Sequence, residues 1–89
     1  MTVNNPDNQS ERINIHKNHQ LILHNDDVNT FDFVIKTLMD ICHFDEVQAE
    51  QIALLTHFKG EIVIKHGDKN YLTALKLSLE EAGLTVSIG

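Results

Sequence analysis

The chain has few of the residues that cross-link a protein, break its helices or hold it in a membrane. Its 89 residues include one cysteine, one proline, four glycines and no tryptophan. A single cysteine excludes an intrachain disulfide framework, and the lack of a long apolar run excludes a membrane-spanning helix. We therefore expect one domain in a reducing, cytoplasmic setting, with no membrane association.

Positive charge is also scarce. Thirteen acidic residues outnumber seven basic ones, and the formal net charge is −6. Proteins that bind nucleic acids attach to phosphates mainly through Lys and Arg. The charge balance therefore argues against a nucleic-acid partner and is compatible with a cationic one.

Residues 1–18, "MTVNNPDNQSERINIHKN", are mostly polar and offer little apolar surface to bury. This composition is typical of a flexible segment, and it has neither the apolar core nor the basic flank of a signal peptide. We predict a flexible tail over residues 1–18 and a folded domain over residues 19–89.

Three short apolar runs predict strands. They are "QLILH" (20–24), "EIVIK" (61–65) and "LTVSI" (84–88). The first run is interpreted as a strand buried on both faces, and "EIVIK" alternates so little that it is interpreted as a central strand. The third run alternates apolar and polar residues, as a half-exposed strand does.

Three helices are expected between and beside these strands. The first begins after an N-cap at Asn29 or Thr30, and the others begin after Asp45 and Asp68. The second helix is predicted to pack its apolar residues on one side and to end at Gly60; these residues are Val47, Ile52, Leu55 and partly Ala49. The order β-α-α-β-α-β predicts an α+β fold, with a three-stranded antiparallel sheet covered on one face by three helices.

A polar cluster interrupts the segment "LILHNDDVNTFDFV" (21–34). Asn25, Asp26 and Asp27 separate the first strand from the first helix. Asn and Asp are good turn residues because their side chains bond nearby backbone groups. The cluster is thus either turn chemistry or part of a binding site, and the pattern alone leaves both open.

His57 is the second candidate, because it lies in the last turn of the second helix. A histidine there is either a partner of the helix dipole or a functional side chain.

Enzymatic and metal-binding motifs are not found. Six histidines occur without an H-x-x-x-H or C-x-x-C pair, and the four glycines do not cluster into a phosphate-binding loop. Cys42 lies on an apolar helix stripe and is interpreted as a small buried side chain. We expect no catalytic residue, no metal and no cofactor, and therefore not an enzyme.

The stretch "LHNDD…FDFVIKTLMDICHFDEVQAEQIALLTHFKGE" resembles the ClpS family of adaptors for the Clp AAA+ proteases. That family shows N-D-D after a strand, a helix that starts with F-V, and H-x-x-G at the end of the second helix. The resemblance covers about residues 21–64. It implies an adaptor that acts as a monomer. Its partners would be the N-terminal domain of a Clp AAA+ ATPase and N-degron proteins, whose first residue is Leu, Phe, Tyr or Trp.

The resemblance also implies a role for nine residues. Asn25, Asp26 and His57 would bind the free α-ammonium group of the substrate, Asp26 directly or through water. Asp27 would shape the loop. The side-chain pocket would be lined by Phe31, Val34, Ala53, Thr56 and Leu84. An α-ammonium group has three donors and no acceptor, so an amide oxygen, a neutral imidazole and a carboxylate suit it.

The chain departs from the family pattern at three places. Val28-Asn29-Thr30 replaces Tyr-Thr-Pro, so a looser loop is expected. Phe31 and Ala53 stand where the family commonly has two methionines, which predicts an exchange of volume across the pocket. The segment 65–83 is shorter and lacks the V-A-x-x-K pattern that contacts the unfoldase, so no docking residues are predicted.

The alternative to an N-degron adaptor is a protein-interaction or assembly domain of the same fold without amine recognition.

Overall fold

The computed structural model describes residues 18–89. Its elements are β1 (His19–His24), α1 (Phe31–Cys42), α2 (Glu46–Lys59), β2 (Glu61–Gly67), α3 (Lys69–Glu81) and β3 (Thr85–Ile88). The predicted α+β fold and the order β-α-α-β-α-β are confirmed. The predicted flexible tail, residues 1–18, lies outside the described residues except for residue 18.

Each helix begins at a side-chain cap. Thr30, Asp45 and Asp68 each accept a hydrogen bond from the backbone N–H three residues further on, at 3.1, 2.8 and 2.9 Å. At α2 the Gln48 side chain also accepts from the Asp45 backbone N–H, which completes a capping box. Thr30 is therefore the cap of α1, and the alternative cap, Asn29, is free for another role.

The sheet has the strand order β2-β1-β3, with both pairs antiparallel. The prediction that the "EIVIK" strand is central is wrong, since β2 lies at an edge of the described sheet and β1 lies in the middle. Val63 explains the misleading pattern, because it is apolar but 40% exposed between Ile62 and Ile64. The strand also contains a bulge. Leu21 pairs with Lys65 and Ile22 with Val63, so Ile64 has no direct partner and turns into the core.

The core forms between the helices and one face of the sheet. Its fully buried leucines come from β1, α1 and α3; they are Leu21, Leu23, Leu38, Leu72 and Leu79. Burying one such side chain stabilises the fold by about 1.5–3 kcal/mol. On β1 only Leu21 and Leu23 are buried, while Ile22 and His24 are partly exposed. The prediction that β1 is buried on both faces is therefore wrong.

The buried side of α2 agrees with the prediction at Ala49 and Ile52 and departs from it at Val47 and Leu55. Its buried residues are Ala49, Ala53 and Thr56. Val47 and Leu55, which were expected to pack inward, are 65% and 38% exposed. The helix carries apolar residues on two sides, so its periodicity did not identify the inner one.

Within residues 18–89, every helix is too short or too polar to span a bilayer.

Candidate functional site

A cavity of about 320 Å³ opens where β1 ends. Its walls come from the β1–α1 loop, α1, α2 and the residue before β3. Twelve residues line it: Leu23, His24, Asn25, Asp26, Asp27, Asn29, Phe31, Val34, Ala53, Thr56, His57 and Leu84. All nine residues expected to form the site are among them. The structure thus brings them together, while their roles toward a ligand stay predictions.

Backbone hydrogen bonds hold the two polar parts of the site at one end of the fold. The Asn25 N–H donates to the Gly60 carbonyl oxygen at 2.8 Å, and the Gly60 N–H donates to the Thr56 carbonyl oxygen at 2.9 Å. Gly60 adopts a φ of 87°, which glycine tolerates and other residues rarely do. The end of β1 is thereby joined to the end of α2, where His57 lies.

Asp26 organises the β1–α1 loop. Its Oδ1 accepts from the backbone N–H groups of Val28 and Asn29 at 2.9 and 2.8 Å, and its Oδ2 accepts from Asn29 Nδ2 at 3.0 Å. Partial burial raises the pKa of Asp26, but the hydrogen bonds from Asn29 and Val28 outweigh it, so the pKa lies below its usual value. Each carboxylate oxygen accepts about two bonds, so Oδ2 has room for another donor.

Asn29 is a site residue that the sequence analysis missed. Besides its bond to Asp26, its Nδ2 donates to the Gly83 carbonyl oxygen at 2.8 Å, directly before Leu84. The loop that was expected to be loose without proline is therefore tied to the turn between α3 and β3. The sequence signalled only the local part of this arrangement, because an Asp at the start of a loop is typical of turns in which the side chain bonds nearby backbone.

The inner wall of the cavity is mainly apolar. Ala53, Thr56 and Leu84 are buried, and Val34 is partly buried. Thr56 fits such a wall because its hydroxyl donates to the Ile52 carbonyl oxygen at 2.7 Å, within α2. Phe31 is 46% exposed and lies at the rim. The cavity therefore has a large ring at its rim and a small methyl group at Ala53.

His57 is exposed and lies where the cavity meets the outer surface of α2. Its ring packs edge-on against Phe58, with 5.7 Å between ring centroids and 68° between ring planes. The last turn of a helix favours a positive charge, so a dipole role for His57 stays compatible with this position. Its place beside the cavity gives it a second possible role as a hydrogen-bond acceptor.

His24 was not singled out from the sequence, although it precedes Asn25. Its Nε2 lies 2.7 Å from Ser87 Oγ on β3, and its Nδ1 lies 3.5 Å from Glu61 Oε1 on β2. Both ring nitrogens of His24 thus contact side chains of the two neighbouring strands. His24 supports the sheet beneath the cavity.

Negative charge gathers at the polar end of the cavity. Asp26 and Asp27 line it, and none of the twelve lining residues within residues 18–89 is Lys or Arg. Across the described part of the chain, no three His, Cys, Asp or Glu side chains come together as a metal-binding group. The site can therefore offer hydrogen-bond acceptors to a cation beside an apolar wall.

Three comparisons place this chain among known proteins. The family model described as "ATP-dependent Clp protease adaptor protein ClpS" matches residues 14–87. The ClpS adapter protein of Syntrophus aciditrophicus is 46% identical over 43 residues, which cover 48% of this chain and 40% of that protein. The ClpS adapter protein of Campylobacter jejuni (strain 81-176) is 48% identical over 44 residues, which cover 49% and 46%. The aligned part spans less than half of these relatives.

A solved structure supports the fold. Agrobacterium tumefaciens ClpS2, bound to L-phenylalaninamide, superimposes with a TM-score of 0.72, covering 82% of this chain and 95% of that one. At 20% identity this likeness shows the fold alone. The family model, by contrast, matches most of the chain and confirms the resemblance seen in the N-D-D and H-x-x-G motifs. The chain belongs to the ClpS family.

Proposed function

We propose that this chain is a non-enzymatic adaptor that binds polypeptides through a free N-terminal Leu, Phe, Tyr or Trp. It presents these polypeptides to the N-terminal domain of a Clp AAA+ ATPase. One observation supports the proposal: Asn25, Asp26 and His57 line the same cavity, whose inner wall is apolar.

The polar end suits an α-ammonium group. Such a group has three donors, and the site offers three acceptors: the Asn25 side-chain oxygen, a neutral His57 nitrogen and the Asp26 Oδ2. Hydrogen bonds between a charged donor and these acceptors contribute about 1.5–3 kcal/mol each. Asp27 adds negative charge to the same end of the cavity.

The apolar wall suits the first side chain of the ligand. Burying a Leu or Phe side chain is worth about 1.5–3 kcal/mol, while association costs at least ~4 kcal/mol. With three charged hydrogen bonds added, the upper ends of these ranges leave about 8 kcal/mol, which corresponds to a roughly micromolar dissociation constant. L-phenylalaninamide, the ligand of the Agrobacterium protein, has the same two parts, a free α-amine and an apolar side chain.

A pair of peptides that differ only at the amine tests the proposal. We expect a peptide with a free N-terminal Leu to bind with micromolar affinity and its acetylated form to bind at least ~100-fold more weakly, because acetylation removes the charge and two donors. Asn25→Ala should weaken the binding of the peptide that has a free N-terminal amine. Asn70→Ala, at an exposed position of α3, serves as the matched control. Equal binding of the two peptides would favour an interaction domain without amine recognition.

Delivery to the ATPase is tested separately. We expect the chain to bind the isolated N-terminal domain of a Clp ATPase in a sedimentation experiment, and to do so as a monomer. A reporter with an N-terminal Leu should then be degraded faster when the chain is added. Peptide binding without ATPase binding would leave the amine site intact and remove the delivery step.

A further inference from the structure

Helix α2 has a second apolar surface, on the side away from the core. Its four residues, the outer stripe, are Val47, Leu54, Leu55 and Phe58, and they are 65%, 47%, 38% and 75% exposed. At 100° per residue, positions 47, 54 and 58 lie within about 40° of one another, roughly opposite the buried Ala49 and Thr56. Packing within residues 18–89 therefore does not account for these side chains.

The outer stripe is continuous with the candidate site. The Phe58 ring packs edge-on against the ring of His57, and His57 lines the cavity. A chain that leaves the cavity past His57 therefore meets Phe58 first, then Leu54 and then Val47. Exposed apolar residues beside a pocket are typical of an interaction surface.

We propose that the outer stripe of α2 holds the residues that follow the first residue of a bound polypeptide. This inference rests on the proposed function, because it needs the amine and the first side chain in the cavity. From Phe58 to Val47 the helix rises about 16 Å, at 1.5 Å per residue. An extended chain covers that length in about five residues, at roughly 3.3 Å each. The stripe thus serves about positions two to six of the substrate.

The charges around the stripe define the substrate further. Glu46 and Glu50 are exposed next to Val47, at the end far from the cavity. They favour a Lys or Arg on the segment and disfavour an Asp or Glu there. The preferred substrate therefore has a bulky apolar first residue, then apolar residues, then a basic residue about five or six positions from its N-terminus.

Titrations of three ligands against the full chain distinguish binding at the outer stripe from binding in the cavity. Leucinamide reports on the cavity alone. Two heptapeptides begin with Leu and carry Lys at position six; one has Gly and Ser at its other positions, and the other has Val, Ala and Leu there. We expect the apolar peptide to bind about tenfold more tightly than the Gly/Ser peptide.

Variants assign that difference to the stripe. Val47→Ser combined with Leu54→Ser should remove most of the tenfold preference and leave the dissociation constant of leucinamide unchanged. Phe58→Ser is a second test and should reduce the preference about threefold. Leu77→Ser is the matched control, because Leu77 is 56% exposed on α3, away from the site. It should leave all three affinities unchanged.

Each contrary result has its own meaning. Failure of leucinamide to bind would overturn the proposed function. Leucinamide binding with equal affinities for the two heptapeptides would overturn only the inference about the stripe, and so would a preference that persists in the double variant. A double variant that changes only self-association, or only ATPase binding, would give the stripe a different partner and would also overturn the inference.

Discussion

The side-chain nitrogen of Asn29, Nδ2, donates a hydrogen bond to the carbonyl oxygen of Gly83 at 2.8 Å, across 54 residues of sequence. The same Nδ2 donates to Asp26 Oδ2 at 3.0 Å. One amide thus joins the polar loop of the cavity to the turn that precedes Leu84. The two parts of the wall, one polar and one apolar, are therefore held in a fixed relation by a residue that lines the cavity between them.

Asn29→Ala should lower the free energy of unfolding by about 1–2 kcal/mol, because two hydrogen bonds are lost and one of them involves a carboxylate. The substitution should also weaken the binding of a peptide with an N-terminal Leu severalfold. Chemical denaturation and peptide titration measure the two effects, with Asn70→Ala as the control. Wild-type stability and affinity in Asn29→Ala would show that the bonds are dispensable.

Phe31 and Ala53 should act together on ligand size. Ala53→Met should overpack the cavity and weaken all ligands by about 1–3 kcal/mol, while Phe31→Ala should shift preference toward bulkier first residues. Combining the two should restore part of the affinity that Ala53→Met loses, since residues that share a cavity couple energetically. A double-mutant cycle with Leu, Phe, Tyr and Trp peptides measures this. Additive effects would place the two side chains in separate environments.

Peptide binding should weaken as the solution is acidified through the range in which imidazoles gain a proton, about pH 8 to 5. A protonated His57 would have no acceptor left and would repel the α-ammonium group. His57→Gln keeps an acceptor and cannot ionise, so it should bind more weakly at about pH 7.5 with a flatter pH profile. Because the two proteins differ at residue 57 alone, the comparison isolates His57. An unchanged profile would exclude His57 from amine binding.

Asp26 should contribute stability that acid removes. Its pKa in the folded chain lies below the usual value, so its ionised form stabilises the fold above the unfolded-state pKa of about 3.9. This contribution is lost as the pH falls through the folded pKa. Asp26→Asn should have a lower free energy of unfolding than wild type near neutral pH. This difference in stability, the gap, should narrow below about pH 4. Urea denaturation of both proteins across that range measures the gap, and a constant gap would contradict the prediction.

Local signals explain what the sequence predicted well. The caps Asp45 and Asp68 and the stop at Gly60 each act within a few residues, so they mark the helix ends directly. The nine site residues were placed by their match to the family motifs, and the fold brings them to one cavity.

Long-range relations were harder to predict. The partner of Asn29 is far away in sequence, and no local pattern announces it. The position of β2 depends on strand order, and the apolar but exposed Val63 disguised its alternation. The inner side of α2 could not be chosen because Val47 and Leu55 compete with Ala49 and Ala53 in the periodic pattern.

The bulge in β2 also affects how copies of the protein behave when concentrated. An edge strand with a regular row of free backbone groups is a template for other chains, and such edges promote aggregation. In β2 the unpaired Ile64 interrupts the row, and the charged side chains of Glu61 and Lys65 stand on either side of it. A bulge also increases the local twist, which a flat stack of strands does not accommodate. The irregularity at Ile64 thus disfavours fibril formation through this edge of the described sheet.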